Sequence, residues 1–396
     1  MMSVKAALRE ILTNIKPLAP LRLPLLKSLG HALASDIASP EPLPFFTNSA
    51  MDGYAVCSRD ISVLPRILKM AEDIPAGKFP KKKIRSGTCA RIMTGAFLPQ
   101  GADAVVPLEQ TDIPAQGYVR VRSTVREGQY IRPKGQEINS GDKIFSKGRV
   151  LKPADLGLLA SLGINAVRVI AKPSISLITS GSEIVGSSAT PRLGQIRNSN
   201  IISMKAALTA LGVSIRRAEH IKDNLRDIKS ALLKCDSDVI ITCGGVSVGG
   251  CDFVKQALSE CGKLIFWKVA MKPGKPFLFG QIGWSWVFGL PGNPVSALVT
   301  YEILVKPTLL ALAGQKNILP IPEEAVLTSP LKHASNRQEY VRARVHRTKR
   351  GSKITPLPWQ GSGMLRSLTE ANAWIVVPRK VRRYPAGSAV NFLPQR

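Results

Sequence analysis

Residues 238–261 read DVIITCGGVSVGGCDFVKQALSEC, the pattern of a strand, a glycine-rich loop and a helix. The apolar run from Asp238 to Thr242 predicts a buried strand, and apolar residues at helical spacing from Asp252 onward predict a helix. The loop contains Gly-Val-Ser-Val-Gly, which matches the Gly-x-Ser-x-Gly pattern of a nucleophile elbow. The same glycines could instead let backbone N–H groups approach an anion. Ser247 is therefore either a nucleophile or part of an anion-binding loop.

The alternation of strand and helix extends through the chain from residue 171 onward. Strand patterns such as SISLITSG, SIRRAEHI and WSWVFGLPG alternate with helix patterns such as SNIISMKAALTALG and NLRDIKSALLK. The last helix pattern is the long segment PVSALVTYEILVKPTLLALAG. Such alternation predicts a central three-layer α/β domain with a mostly parallel sheet.

Proline and glycine clusters divide the chain into four predicted domains. Residues 1–48 plus 141–170 form a helical and linker domain, in which we expect the first 40 residues to be helical. Short apolar runs with turn signals predict a β-rich insert at residues 49–140. Residues 171–319 form the α/β domain, and residues 320–396, with strand patterns such as EYVRARVHR, form a small C-terminal β domain.

The composition is strongly basic, with 55 Lys and Arg against 27 Asp and Glu and a formal net charge of +28 in 396 residues. This charge favours anionic partners such as nucleic acid, acidic membranes or phosphorylated small molecules. The densest basic runs are KKKIR, RTKR and RKVRR. No RNP-type aromatic motif, zinc finger or basic region with heptads accompanies them, so a solvated surface is the preferred interpretation and nucleic acid is not the expected partner.

The sequence predicts a cytoplasmic protein without membrane contact. No stretch approaches the roughly 18 uninterrupted apolar residues of a membrane span. The N-terminus, MMSVKAALREILTNIK, is interrupted by charges and is typical of an amphipathic helix rather than a signal peptide. The six cysteines form no Cys-x-x-Cys and have no His at zinc-ligand spacing, which indicates free thiols in a reducing compartment.

Three predicted strands end in loops that contain glycine and small polar residues. These loops contain Ser180, Gly181, Gly244, Gly245, Ser247, Pro291, Gly292, Asn293 and Pro294. Ligands of open α/β sheets bind outside the carboxyl ends of the strands, where these loops meet. Lys268, Lys272 and Lys275, which prolines separate, add positioned cations. The combination predicts a site for a phosphate or another anion.

Carboxylates near these loops would suit Mg²⁺, which accepts carboxylate together with phosphate oxygens. They are Glu183, Asp223 and Asp252, and Asp52 lies in a glycine turn of the β-rich insert. Each of these acids alone also fits a cap or a turn.

The serine-hydrolase alternative lacks its partner residues. An α/β-hydrolase has an acid and then a His after the nucleophile in chain order. Only His333 and His346 follow Ser247, and both lie in the predicted C-terminal β domain. No HGGG-type oxyanion segment is present. An anion-binding loop is therefore favoured over a nucleophile elbow.

Seven motifs occur in the order and roughly the spacing of the molybdopterin molybdenumtransferase family, the bacterial counterpart of the gephyrin E-domain. They are NSAMDGYA, RIMTGA, TSGSEI, GQIRNSN, CGGVSVGGCDF, FWKVAMKPGKPFLFG and GLPGNPVSA. The chain resembles this family over essentially its whole length. The resemblance implies a multidomain α/β fold: a helical N-terminal segment, a β-rich insert, a molybdopterin-binding α/β domain and a C-terminal β-barrel-like domain.

The resemblance also implies an activity in molybdenum cofactor biosynthesis. The enzyme would insert molybdate into adenylylated molybdopterin and release AMP with the help of Mg²⁺. It would be an elongated homodimer whose active site joins the α/β domain of one chain to the N-terminal domains of the other. Contact with the molybdopterin adenylyltransferase, which supplies the substrate, is a further expectation.

The family's functional residues are carried over residue by residue onto matching positions and joined with the loop residues above. Catalytic roles are expected for Asp52, Asp223, Asp252, Lys268 and Lys272. Substrate binding is expected for Thr94, Arg132, Ser180, Gly181, Gly244, Gly245, Ser247, Lys275, Pro291, Gly292, Asn293, Pro294 and Ser362. Metal binding is expected for Glu183, Glu137 and Asp52.

The chain departs from the family pattern at several acids. Family members often have Gly-Glu-Asp where this chain has Gly135-Gln136-Glu137, an aspartate at Ser182, and an acid near Gly250 and Cys251. These changes remove negative charge near the expected metal. They leave open a catalytically weakened binding or scaffold paralogue, while the +28 charge leaves open a nucleic-acid-binding protein.

Overall fold

The computed structural model describes residues 1–245, 253–333, 335–349 and 351–395. The chain begins with helix α1 (Val4–Asn14), whose first turn is capped by Ser3, since the Ser3 Oγ accepts a hydrogen bond from the Ala6 N–H at 3.1 Å. The further elements before residue 171 are β1 (Pro20–Pro24), a 3₁₀ turn (Leu25–Ser28), β2 (Ile37–Ala38), β3 (Asn48–Ser49), β4 (Gly53–Val56), a 3₁₀ turn (Ser58–Ile61), β5 (Arg66–Ile74), β6 (Thr88–Ile92), β7 (Ala104–Pro107), a 3₁₀ turn (Leu108–Gln110), β8 (Thr111–Ala115), β9 (Tyr118–Val121), β10 (Ile131–Arg132), β11 (Lys143–Phe145), α2 (Pro153–Ser161) and β12 (Ala166–Ile170).

The expectation that the first 40 residues are helical is wrong beyond Asn14. Pro17 and Pro20 follow the helix, and proline removes a backbone donor and clashes with the preceding helical turn. The chain instead forms β1, which pairs antiparallel with β12, and β2, which pairs antiparallel with β11. These ribbons and α2 surround an apolar cluster that includes Leu33, Leu159 and Val169.

The β-rich insert is a six-stranded sheet in the order β7-β4-β6-β5-β9-β8. Its two faces carry separate apolar clusters, one containing Tyr54 and Val56 and the other Ala55 and Ile74. Strand β4 pairs antiparallel with β6, with Gly53 opposite Ile92. The residues just before β4 and just after β6 therefore meet at one edge of this sheet.

The central region contains strands and helices in the predicted alternation. They are β13 (Ser174–Ser180), β14 (Ile184–Val185), β15 (Ile196–Arg197), α3 (Ser199–Leu211), β16 (Ser214–Ile221), α4 (Leu225–Leu233), β17 (Val239–Cys243), α5 (Phe253–Cys261), β18 (Lys263–Trp267), β19 (Met271–Lys272), β20 (Leu278–Ile282), β21 (Ser285–Leu290), α6 (Pro294–Thr300), a π-helical turn (Tyr301–Val305) and α7 (Lys306–Leu312). The sheet order is β16-β13-β17-β21-β20-β18, and the first four strands are parallel. The prediction of an α/β domain with a mostly parallel sheet is confirmed.

Alternate side chains of the central strands enter two different apolar layers. Ile175 and Leu177 of β13 lie in a cluster with residues of α3 and α6, whereas Ile178 lies in a cluster with residues of α4 and α5. Since successive residues of a strand point to opposite faces, helices cover both faces of this sheet. Helix α1 joins the first layer, where Ile11 is fully buried in the same cluster as Leu309 and Leu312 of α7.

The helical segment Pro294–Leu312 is long and apolar enough, by length and composition alone, to cross a membrane. In the folded chain 72% of this window is buried inside the protein. It is the only such segment in the described part of the chain. The segment is therefore a core helix of the central domain, as its contacts with α3 and β21 indicate.

The C-terminal region folds into a closed β-barrel. Its elements are β22 (Glu323–Leu327), β23 (Leu331–Lys332), β24 (Gln338–Thr348), β25 (Gly351–Pro356), α8 (Arg366–Glu370), β26 (Ala373–Val377), β27 (Arg383–Tyr384) and β28 (Ala389–Pro394). Five strands follow the order β24-β25-β22-β28-β26, and β26 pairs with β24 to close the ring. The short central strand β19 adds to the edge of β24, and β23 and β27 form a separate ribbon.

Candidate functional site

The carboxyl ends of the parallel strands β13, β17 and β21 meet at one edge of the central sheet. The Gly244 N–H after β17 donates to the Leu290 carbonyl at the end of β21 at 3.1 Å. A Cβ placed on Gly292 would lie 3.7 Å from the Cα of Gly244. The structure therefore brings together the predicted loops after these three strands, as the topology of a parallel sheet requires.

Gly244 and Gly245 lie where the strand-end loops approach one another closely. Both have positive φ angles, 100° and 64°, which side chains rarely adopt. A Cβ on Gly244 would lie 2.5 Å from the Ser180 carbonyl oxygen, and a Cβ on Gly245 would lie 2.8 Å from Cγ2 of Val254. The residue type is therefore fixed by both backbone conformation and space.

Two polar atoms beside these glycines are buried and have no hydrogen-bond partner among the described residues. They are the Ser180 Oγ and the Asp223 Oδ1. Each lies close to the Cβ position of Gly245, at 3.1 Å and 3.6 Å respectively. A buried polar atom costs free energy unless a partner satisfies it, so this pair indicates a place for a polar ligand.

The carboxyl group of Asp223 has a raised pKa, mainly because burial disfavours its charged form. The Ser180 hydroxyl lies near this carboxyl group and lowers its pKa, although the two make no hydrogen bond of normal geometry, and the negative charge of Glu183 raises it. Glu183 itself is exposed, with its Oε2 3.0 Å from the Cβ position of Gly181. The charge of Glu183 thus acts on the Asp223 carboxyl group beside Gly244 and Gly245.

Asparagines at the start of α3 support the same edge. The Asn198 side chain caps the helix by accepting from the Ile201 N–H at 3.1 Å, and its Nδ2 donates to the Thr179 Oγ1 at 2.8 Å. The Asn200 Nδ2 donates to the Gly292 carbonyl at 2.7 Å, which leaves its buried Oδ1 without a partner among the described residues. Sequence reasoning did not assign Asn200 to the site, although the quoted motif GQIRNSN contains it.

The start of α6 connects the central sheet to the barrel. Asn293 takes the N-cap position and Pro294 the first helical position, and Pro291 and Gly292 lie just before them. The Asn293 side chain makes no capping bond; its Nδ2 donates to the Ser362 Oγ at 3.0 Å. The Val295 N–H also donates to the Ser362 carbonyl at 3.1 Å. Ser362 is therefore held against the strand-end loops.

The three predicted lysines have different surroundings. The Lys268 ammonium lies over the Trp267 ring, 3.6 Å from its centroid, and Lys268 has a positive φ of 71°. The Lys272 Nζ lies 2.8 Å from the Glu339 Oε1 of the barrel. Lys275 is half-buried, and its carbonyl accepts from the Val269 N–H at 3.1 Å.

Asp52 and Thr94 form a second group at the edge of the β-rich sheet. The Asp52 Oδ1 accepts from the Thr94 N–H at 2.6 Å and from the Thr94 hydroxyl at 2.8 Å. These bonds hold the pKa of Asp52 below its usual range. Arg132 and Glu137 are exposed on the same region, and Arg132 lies opposite Asn48 in the β10–β3 ribbon. Within the described residues no hydrogen bond or ion pair joins this group to the strand ends.

The predicted metal ligands Glu183, Glu137 and Asp52 do not form one group in a single chain. Across residues 1–245, 253–333, 335–349 and 351–395, no three His, Cys, Asp or Glu side chains lie close enough together to hold a metal ion. Ser247 and Asp252 lie outside the described residues. Their predicted roles, and the predicted metal site, stay predictions.

Three family models match consecutive parts of the chain. The "MoeA N-terminal region (domain I and II)" matches residues 2–163. The "Probable molybdopterin binding domain" matches residues 176–311. The "MoeA C-terminal region (domain IV)" matches residues 324–395.

Similar proteins extend over nearly the full length of the chain. The molybdopterin molybdenumtransferase of Haemophilus influenzae is 36% identical over 374 residues, covering 93% of this chain and 92% of the relative. The molybdopterin molybdenumtransferase 2 of Mycobacterium tuberculosis is 34% identical over 400 residues and covers 98% of each chain. A crystal structure of the molybdopterin biosynthesis MoeA protein from Pyrococcus horikoshii superposes with a TM-score of 0.83 at 29% identity, covering 100% of this chain and 99% of that one.

Proposed function

Because the chain belongs to the molybdopterin molybdenumtransferase (MoeA) family, whose enzymes act in molybdenum cofactor biosynthesis, we propose that it inserts molybdate into adenylylated molybdopterin and releases AMP. The observation that carries this proposal is the edge formed by Gly244 and Gly245, with the unpartnered Ser180 Oγ and Asp223 Oδ1 beside it. A pyrophosphate offers the acceptor oxygens and the negative charge that such an edge accommodates.

Different groups near this edge would bind different parts of the substrate. Backbone N–H groups and the Ser180 hydroxyl would donate to phosphate oxygens. The ammonium groups of Lys268, Lys272 and Lys275 would balance the charge of the pyrophosphate and of molybdate. Asn293 and Ser362 would position the ligand between the central domain and the barrel.

Two of the predicted site carboxylates, Asp223 and Glu183, are suited to hold a divalent metal ion. The charge of Glu183 acts on Asp223 beside Gly244 and Gly245, and Mg²⁺ is commonly held by one or two carboxylates together with substrate phosphates. Asp223 and Glu183 would therefore hold Mg²⁺, which supplies positive charge to the pyrophosphate as AMP leaves. This chain lacks the acids that family members often have near Gln136, Ser182 and Gly250, and the missing negative charge would weaken Mg²⁺ binding. A Ser182→Asp variant, which restores one carboxylate, should therefore need less Mg²⁺ for half-maximal AMP release.

We propose a homodimer in which two incomplete groups make one site. Asp52 and Thr94 of one protomer would face the strand-end loops of the other, with Arg132 and Glu137 nearby. This arrangement accounts for the separation of the two groups within a single chain. The proposed location is the cytoplasm, where the molybdopterin adenylyltransferase would deliver the substrate.

The test is an AMP-release assay with the purified chain, adenylylated molybdopterin, molybdate and Mg²⁺. We expect AMP to form with all four components and to stop when Mg²⁺ is chelated. Asp223→Asn should abolish release while the variant remains folded. Binding of adenylylated molybdopterin by the wild-type chain without AMP formation above the protein-free rate would reject the proposed reaction and favour a binding protein.

A further inference from the structure

We infer that Glu339 and His333, two barrel residues outside the predicted site, are positioning residues for Lys272. The Glu339 carboxylate fixes the Lys272 ammonium group, and the His333 imidazole fixes the carboxylate. The inference rests on the proposed function, because the contact of Lys272 with an anionic substrate belongs to that function.

The geometry is a chain of two contacts through one carboxylate. The Glu339 Oε1 lies 2.8 Å from the Lys272 Nζ, and its Oε2 lies 2.6 Å from the His333 Nδ1. A carboxylate only accepts hydrogen bonds, so the His333 Nδ1 carries the hydrogen that it donates. With one oxygen engaged by each partner, the carboxylate cannot rotate without losing a contact.

Burial increases along this chain of contacts. The Lys272 side chain is 38% exposed, whereas those of Glu339 and His333 are 7% and 1% exposed. Lysine has three donors, and Glu339 is the only ion-pair partner of Lys272 among the described residues. The ammonium therefore has donors left for a ligand on its exposed side while its buried side is fixed.

The contact also depends on the junction of two domains. Strand β19, which carries Lys272, follows β18 of the central sheet and pairs parallel with β24 of the barrel, with Lys272 in register with Glu339. His333 follows β23, and its N–H donates to the Arg382 carbonyl at 2.9 Å. The lysine of the central domain thus takes its position from side chains of the barrel.

Stability alone is a weak reason for this arrangement. Removing two charges from water costs several kcal/mol per ion, so a buried ion pair often adds little to stability compared with apolar residues. Arg342 adds a further buried cation near Glu339: burial lowers its pKa to about 10, while the charge of Glu339 acts in the opposite direction. A buried carboxylate that contacts the partly exposed Lys272 on one side and the buried His333 on the other fits a positioning role.

The first experiment measures Lys272 itself without substrate. Each variant is treated with an amine-reactive reagent, and labelling at Lys272 is followed by peptide mass spectrometry, with Lys275 as an internal reference. Glu339→Gln should raise the labelling rate of Lys272 about threefold or more, because the ammonium loses its charged partner. Glu323→Gln, which breaks the Arg347–Glu323 pair of the same barrel at 2.7 Å, should leave it unchanged.

If Glu339→Gln fails to fold, His333→Leu provides the same measurement, since it frees the carboxylate without removing its charge. His333→Gln, which keeps a donor, should restore the slow labelling of the wild type. An unchanged labelling rate in folded Glu339→Gln, or in folded His333→Leu, would overturn the inference. This result does not depend on any reaction of the protein.

The second experiment is a double-mutant cycle on AMP release. Glu339→Gln should lower kcat/KM by up to about 100-fold, the scale of a displaced catalytic contact. In a Lys272→Ala background the same change should have no further effect, because the carboxylate acts only through the lysine. Additive losses would show that Glu339 acts independently and would overturn the inference. A wild-type chain that releases no AMP would reject the proposed function and leave the labelling result standing.

Discussion

Gly245 is a position at which a single added methyl group would disturb the site. We expect Gly245→Val to abolish binding of adenylylated molybdopterin, because its Cβ would lie 2.8 Å from Cγ2 of Val254 and 3.1 Å from the Ser180 Oγ. The φ of 64° adds backbone strain for a β-branched residue. Ligand binding measured by calorimetry on the purified variant checks this.

Gly283 provides the matched control for this substitution. It has a φ of 54°, and nothing lies within 4 Å of its Cβ position, in the turn between β20 and β21. Gly283→Val should therefore lose only about 1–3 kcal/mol of stability through backbone strain and should bind ligand normally. Equal loss of binding in both variants would indicate that strain, and not crowding at the strand ends, is responsible.

Asp223 and Asp52 should change the pH dependence of stability in opposite directions. The raised pKa of Asp223 means that the folded state binds its proton more tightly than the unfolded state does. The stability that this group contributes is thus largest at low pH. It falls as the pH rises from the ordinary aspartate pKa, about 4, to the raised pKa of Asp223 in the folded protein. Asp223→Asn should accordingly raise Tm at neutral pH and have little effect at about pH 3.

The lowered pKa of Asp52 gives the opposite sign. Its stabilising bonds to Thr94 are present above the ordinary aspartate pKa and are lost as the pH falls through the lowered value. Asp52→Asn should lower Tm at neutral pH, and the difference should vanish in acid. Calorimetry of both variants over pH checks the two signs, and a shift of the same sign in both would contradict the assigned causes.

The sequence allowed prediction of the site residues at the strand ends, but not of the distant residues that contact them. Gly244, Gly245 and Asn293 follow from local patterns, because turns and helix starts require these residue types. Glu339 lies 67 positions after Lys272, and only the pairing of β19 with β24 brings them together. Asn200 has a local signal in its motif, but its bond to the Gly292 carbonyl depends on the tertiary fold.

Helix α1 is stabilised by packing against residues that lie far from it in sequence, such as Leu309 and Leu312. Ile11 is fully buried in the central cluster. Ile11→Ala should therefore cost about 2–5 kcal/mol, since it removes buried methyl groups and leaves a cavity. Lys5→Ala on the exposed side of the same helix should change stability by less than about 0.5 kcal/mol. Urea unfolding of both variants checks this, and equal effects would mean that α1 is not docked in solution.

The order of helices and strands was predictable wherever the spacing of apolar residues and the positions of turn residues indicated the same elements. The central alternation satisfies both, and its parallel sheet was expected. The first 40 residues were misjudged because the period of α1 was extended across Pro17 and Pro20. The family resemblance implied a β-barrel-like C-terminal domain, which the structure confirms. The strand patterns alone could not predict the β24–β26 pairing that closes it, because strand register is set by contacts between segments far apart in sequence.

For the molecule as a whole, the proposed shared site predicts that two inactive variants complement each other. Asp52→Ala and Asp223→Ala should each be inactive alone. After mixing and subunit exchange, half of the dimers should be mixed and one of their two sites intact, giving roughly a quarter of wild-type AMP release. Light scattering tests whether the protein is a dimer. Mixed dimers that remain inactive would place both residues in the same site of one chain.

The docking of α1 on α7 also has a consequence for synthesis of the chain. Leu309 and Leu312, which help to bury Ile11, are added roughly 300 residues after it. At about 5–20 residues per second, the apolar face of α1 waits roughly 15–60 s for its partner. During that interval the β-rich insert can fold, because its strands are complete by Val121. Helix α1 is therefore buried only after most of the chain that follows it has been made, and nascent chains would expose it to chaperones.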